Sequence, residues 1–186
     1  MRTMHIAVVI AGAAIFCAAP SVAQDKGKTA ATELAADSKA ALQQLFANVP
    51  LAKELGLKAQ AILVFPKVTK AGLGVGGQYG EGALLKGGTA VGYYKTTGAS
   101  FGLQAGGQQY AYAMLFMNAK ALEQLDNAKG FEVGVGPSVV LVDEGMAKTT
   151  TTSTLKDDIY AFVFGQKGLM AGLGIQGNKI TKITPK

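Results

Sequence analysis

The chain has 186 residues, with 18 Lys and Arg against 12 Asp and Glu, a formal charge of +6, one His, one Cys and no Trp. His5, Cys17 and Arg2 are its sole His, Cys and Arg, so the remainder offers no Ser–His–Asp triad, cysteine nucleophile, imidazole or thiolate metal site, or bidentate Arg clamp. The basic excess is lysine, which suits diffuse attraction to a phospholipid surface better than planar readout of nucleic acid.

The N-terminus carries Arg2, then an uncharged, mostly apolar run from Ile6 to Ala19 that is too short to span a bilayer. Pro20 breaks the run, and Ser21-Val22-Ala23 places small residues at the −3 and −1 positions. Residues 1–23 therefore read as a signal peptide cut after Ala23, with a periplasmic or secreted product. Cys17 offers a lipid-anchored alternative, although Phe16 stands where a lipoprotein signal wants a small residue. The remainder is long enough for one domain with a core that needs no disulfides. "QDKGKTA", residues 24–30, reads as a polar linker.

From Ala31 the periodicity is helical, with Leu34, Ser38, Ala41, Leu42, Leu45 and Val49 on one face. Pro50 ends that helix and opens a short second one, "PLAKELG", with Gly56 as its expected C-terminal cap. "AILVFP", residues 61–66, suits a buried strand. Period-two alternation follows over residues 72–80, 101–106, 131–139 and 168–176, with glycines on one side. It is interrupted by one helical segment, "NAKALEQLDNAKG", where Asn118 is the expected N-cap, Ala121, Leu122 and Leu125 the apolar stripe and Gly130 the C′ residue. The threonine run at 149–154 reads as an exposed polar strand or loop. The predicted fold class is α+β: glycine-rich, mainly antiparallel β-sheets, sandwich or barrel-like, packed with a few α-helices in a single domain over 31–186.

Gly72, Gly74 and Gly77, and again Gly172, Gly174 and Gly177, spell GxGxxG. A nucleotide site needs a helix directly after such a turn. "QYGEGALLKGG" follows the first set and "NKITKITPK" the second, so neither fits, and no nucleotide or other cofactor is expected. Strand glycines cost about 0.5–1 kcal/mol each relative to alanine. Something must need the bare faces, either close packing, with the aromatic row Tyr160, Phe162 and Phe164 as one candidate, or an acyl ligand. Asp143 and Glu144 would point to opposite faces of a strand, Asp157 and Asp158 read as turn residues before "IYAFVF", and nothing pairs Glu81 with Glu132 for acid–base work. An enzyme is not expected, and no metal site.

Several spaced motifs resemble the SYLF domain family: Phe65-Pro66 closing an apolar run, Gly80 to Leu85, Gly136-Pro137, and Lys167 to Gly172. The likeness spans roughly Ser38 to Ile183. It implies binding to anionic phospholipids, phosphoinositides or acyl chains, and actin in eukaryotic members. In an exported protein, actin is not an expected partner. The lysines bordering the glycine strands, Lys67, Lys70, Lys86, Lys167, Lys179 and Lys182, are candidates for headgroup contact, with Leu73, Val75 and Leu169 touching acyl chains. The expected function is a periplasmic lipid-binding module with phospholipid surfaces or fatty acids as partners. The alternatives are a structural or protein-interaction domain of the envelope without a lipid ligand and, less well matched to the N-terminal helices and the "ITPK" ending, an outer-membrane barrel.

Overall fold

A computed structural model describes residues 22–126, 130–133, 138–142, 156–167 and 177–186. The expected strand over 168–176, Gly136-Pro137, Asp143 and Glu144, the threonine run and nearly all of the expected signal segment lie outside these residues.

Two helices open the described chain, α1 (Val22–Asn48) and α2 (Pro50–Lys58). The predicted face of α1 is the packed one: Ser38 and Leu45 are buried, and Leu34, Ala41, Leu42 and Val49 are half-buried. The helix also runs through 24–30, which composition alone reads as a linker; Gln, Lys and Ala are good helix formers. Pro50 sits in the first turn of α2 as expected, but Gly56 does not cap it. The helix continues to Lys58 and ends on Ala59, whose N–H bonds Leu55 O. Gly56 instead makes room for a ring, since a Cβ there would come within 2.8 Å of Phe46 Cε1.

The centre of the fold is one very long antiparallel hairpin, β1 (Ala61–Lys86) with β2 (Thr89–Phe116). Gly87 and Gly88 turn it with φ of +56° and +79°, the two positive values a two-residue type I′ turn demands. The register shifts between Phe65 and Val68 and again between Gly72 and Gly74. Pro66 falls in the first irregularity, where the missing N–H does least harm to the ladder. The second divides the hairpin into a near arm, 61–72 with 106–116, and a far arm, 74–86 with 89–102.

The shorter elements are α3 (Ala119–Leu125), β3 (Phe131–Glu132), β4 (Val139–Val142), β5 (Ile159–Lys167) and β6 (Lys179–Ile183). Strand β5 extends the near arm along β2 from Phe116 back to Gln109, while β6 extends the far arm along Tyr93–Thr97. β4 lies beside β5 and β3 beside β6, so the described strands form one six-stranded sheet that curls into a half-barrel, with α1 and α2 on its outer face. The class is α+β as expected. The pairing is antiparallel except for β4 with β5, which is parallel. The alternation expected unbroken over 131–139 is divided between β3 and β4, with Val133 a buried turn residue.

Two cores result, one on each face of the near arm. Leu63, Phe65, Tyr110, Tyr112, Met114, Phe116, Ile159 and Ala161 face the inside of the curl, where Leu84, Tyr94, Leu125, Phe131 and Ile180 close over them. The residues between them, Ile62, Val64, Ala113, Leu115, Tyr160 and Phe162, face outward under Leu45, Leu51, Ala52 and Leu55 of the helices. The row Tyr160, Phe162 and Phe164 thus packs in the core beneath the helices rather than over glycine. What does press on glycine is the near arm of β1 itself. A Cβ on Gly80 would stand 2.8 Å from Lys67 O and 3.1 Å from Val68 Cα, and one on Gly82 would stand 2.9 Å from Val64 C. The main chain of 64–68 lies on the bare inner face of the far arm. That covers an edge strand which would otherwise expose unpaired backbone, and Ser38 Oγ of α1 adds a long hydrogen bond to Val64 O at 3.4 Å.

Asn118 caps α3 as expected, accepting from Ala121 N at 2.8 Å, and donates its amide to Asp158 at 2.7 Å. Asp158 also accepts from Ser138 N, and the Asn118 and Ser138 bonds hold its carboxyl below the ordinary range. Asp157 and Asp158 are turn residues ahead of β5, as the sequence implies. Gly130 is not the C′ residue: α3 ends at Leu125 with Asp126 as its cap.

Candidate functional site

Backbone register locates the candidate lysines. Lys67 is exposed at the Pro66 irregularity, and Lys70, half-buried, pairs across from Gln108. Lys167 ends β5 opposite Gln109. Lys70 and Lys167 therefore lie on the two strands flanking β2 opposite successive residues, at register positions that belong to opposite faces of the sheet. Lys86 is sixteen residues further along β1, at the hairpin tip, paired with Thr89. Lys179 and Lys182 stand on β6 beside Thr97 and Tyr94. Leu73 falls within the register shift where the two arms part, Val75 pairs with Phe101 just beyond it, and Leu169 lies outside the described residues. The lysines thus occur as a pair at the bend, a pair on β6 and two single positions.

Lys182 has a local partner. Its Nζ is 2.9 Å from Asp126 Oδ1 and 5.9 Å from the centroid of the Tyr94 ring. Tyr94 OH donates to the same carboxylate oxygen at 2.8 Å. The Lys182 bond, then that of Tyr94, holds the Asp126 carboxyl below its ordinary range, while burial raises Tyr94. Lys95 escapes the sequence reading because it sits inside the alternation "VGYYKTT"; it pairs across from Glu81 on the outer face of the far arm. Beside it Tyr79 is 50% exposed and donates to Glu81, whose hydrogen bond raises the phenol.

The inner face holds polar groups that the sequence does not announce. Tyr110 OH donates to Gln78 Oε1 at 2.6 Å, and Gln78 Nε2 donates to Asn178 Oδ1. Gly98 leaves space for this pair of amides, since a Cβ there would be 2.8 Å from Gln78 Nε2 and 3.1 Å from Asn178 Cγ. Burial pushes the Tyr110 phenol up to about 12 and raises Tyr112 further still, so both remain protonated at any physiological pH. Thr96 and Asn178 lie close enough to the Tyr112 oxygen to favour its ionised form, yet neither meets it in hydrogen-bond geometry. Tyr112 OH, Thr96 Oγ1, Asn178 Nδ2 and both amide atoms of Gln108 are buried with no hydrogen-bond partner among the described residues. At about 1–3 kcal/mol for each unsatisfied buried group, this cluster weighs on the scale of a whole domain's stability, roughly 5–15 kcal/mol. The signal in sequence is faint: Gln and Tyr at alternate positions of "GGQQYAY" look like a solvated face until the sheet curls over them.

Among the described residues no three His, Cys, Asp or Glu converge as metal ligands, and no helix is long and apolar enough to cross a membrane. Residues 97–184 match the family described as Ysc84, Las17-binding protein actin regulator, the SYLF domain. Residues 97–184, a little under half of the chain, are thus similar to a SYLF domain. The SYLF match begins within β2 and takes in α3 and β3 to β6, whereas α1, α2 and β1 precede it. SYLF domains are binding domains rather than enzymes, known for lipid and actin partners. No curated protein matches the chain.

Proposed function

We propose that this protein is a lipid-binding module of the cell envelope, exported by residues 1–23 and associating with anionic phospholipid surfaces or acyl chains. The observation that carries this reading is the family match, on a chain whose positive charge is almost entirely lysine. Lys67, Lys86 and Lys179 are exposed, and each lysine near an anionic surface contributes about 1 kcal/mol. Export would separate the protein from actin. A lipoprotein form anchored at Cys17 is the alternative route to the envelope, and N-terminal sequencing of the mature protein distinguishes the two.

Sedimentation with anionic and neutral vesicles tests the function. Binding to anionic vesicles that weakens with salt is expected, and failure to bind either kind rejects it. A second reading, an envelope domain without a lipid ligand, is favoured by Gly80 and Gly82, which serve packing of main chain on main chain rather than a groove. Lipid co-purifying with the protein would decide for the first reading.

A further inference from the structure

We propose that the polar interior of the half-barrel is a binding site for an acyl carboxyl group, the head of a fatty acid or the ester of a phospholipid, seated on Tyr112, Thr96 and Asn178. This rests on the lipid reading above and narrows it to one place and one chemical group.

The hydrogen-bond network fixes what these residues can offer. Tyr110 donates to Gln78 Oε1, so the Gln78 amide nitrogen faces Asn178 and takes its Oδ1. The Asn178 NH2 is left over as a donor. Tyr112 OH and Thr96 Oγ1 add two hydroxyl donors, and all three residues are at least 99% buried. Three neutral donors suit an oxygen acceptor of little or no charge. A phosphate would keep its full desolvation penalty there, since none of these side chains is cationic. An ester oxygen, or a carboxyl group that enters with its proton, is accepted at far smaller cost, whereas an ionised carboxylate would pay a penalty of the same kind as phosphate.

The surroundings fit the rest of such a ligand. Phe65, Val68, Leu84 and Met114 belong to the same interior apolar cluster as Tyr112. Two steps beyond Tyr110 on the same face of β2, Gln108 is buried with both amide atoms unpartnered, and its cross-strand partner is Lys70. A polar lane thus leads from the half-buried lysine at the bend to the trio within.

The test uses the full chain, stripped of lipid, with 13C-carboxyl-labelled dodecanoate below its micellar concentration and, separately, dihexanoylphosphatidylglycerol. One-to-one saturable binding of one of these is expected, and which probe binds tells free acid from phospholipid. Tyr112→Phe and Thr96→Val remove only a hydroxyl, and each should weaken that binding roughly two- to tenfold. In ligand-free protein the thermal midpoint of Tyr112→Phe should be unchanged or raised, because its hydroxyl has no protein partner to lose. The proposal is overturned if neither probe saturates, if both variants bind like the parent, or if Tyr112→Phe lowers the ligand-free midpoint, which would make the hydroxyl structural or water-held. Anionic vesicles run alongside separate the two levels. Vesicle binding without probe binding sinks this inference alone, whereas loss of both sinks the lipid reading.

Discussion

The two arms of the long hairpin are made from the same two strands yet do opposite things. At its base, 61–65 with 110–116, the near arm is covered on both faces, by the interior core and by the helices, and reads as continuous apolar sequence: "AILVF" in β1 and "YAYAMLF" in β2. The far arm has one covered face, bare at Gly80 and Gly82, and an outer face carrying Tyr79, Glu81, Lys95 and Thr97. A strand's composition here reports what lies above and below it at each point, not the strand as a whole.

Leu63 and Tyr79 test the contrast most severely. Leu63 is fully buried in the near arm, and Leu63→Ala should cost about 2–5 kcal/mol. At this chain length that is a fall of roughly 2–4 °C per kcal/mol in a thermal scan. Tyr79→Ala on the far arm should change stability by within about 0.5 kcal/mol; an equal loss at both sites would erase the distinction between the arms. Next come the glycines. Gly82→Ala drives a methyl into the Val64 carbonyl group and should destabilise by about 1–3 kcal/mol or more. Gly77→Ala, whose nearest neighbour would be Gly98 O at 3.9 Å, should be neutral or gain up to about 1 kcal/mol in urea titration. A similar response at both would remove the argument for main-chain contact between the arms.

Asn118→Ala acts where the near arm leaves β2. It removes the α3 cap and one bond to Asp158, and the cap alone is worth about 0.5–2 kcal/mol by denaturant midpoint. The smallest effect belongs to Asp126, beside the far arm. Its folded pKa lies below the ordinary 3.8, so its contribution is present above that value and disappears as pH falls through the folded one. Because both partners are more than half exposed, the difference between parent and Asp126→Asn should stay well under about 1 kcal/mol at neutral pH, shrink with added salt and vanish in acid.

Much of this was legible in the residues. The buried face of α1, the Asn118 cap, the stripe on α3 and the apolar run at 61–65 all follow from local spacing, which local physics dictates. Gly56 and Gly130 carry the ordinary signature of a cap, a glycine near a helix end, yet neither is one; at Gly56 the presence of Phe46, ten residues earlier, decides instead. Gly87-Gly88 carried a hairpin signal between two alternating runs. The bend between the arms carried none, and with it the meeting of Gln78, Thr96, Tyr112 and Asn178 stayed hidden, because these residues converge only once the sheet has curled. The candidate lysines were located by their nearness in sequence to glycine strands, and the curl distributes them over the bend, the tip and β6.

One consequence follows from β1 being the partner of β2 along nearly its whole length. The region sharing the family's sequence starts at residue 97, so cutting there would discard the strand against which Phe101 to Phe116 is zipped and both helices roofing the outer core. An excised 97–184 fragment would present a naked ladder of amides and carbonyls flanked by Tyr112, Met114 and Phe116, and its foreseeable fate is to recruit copies of itself.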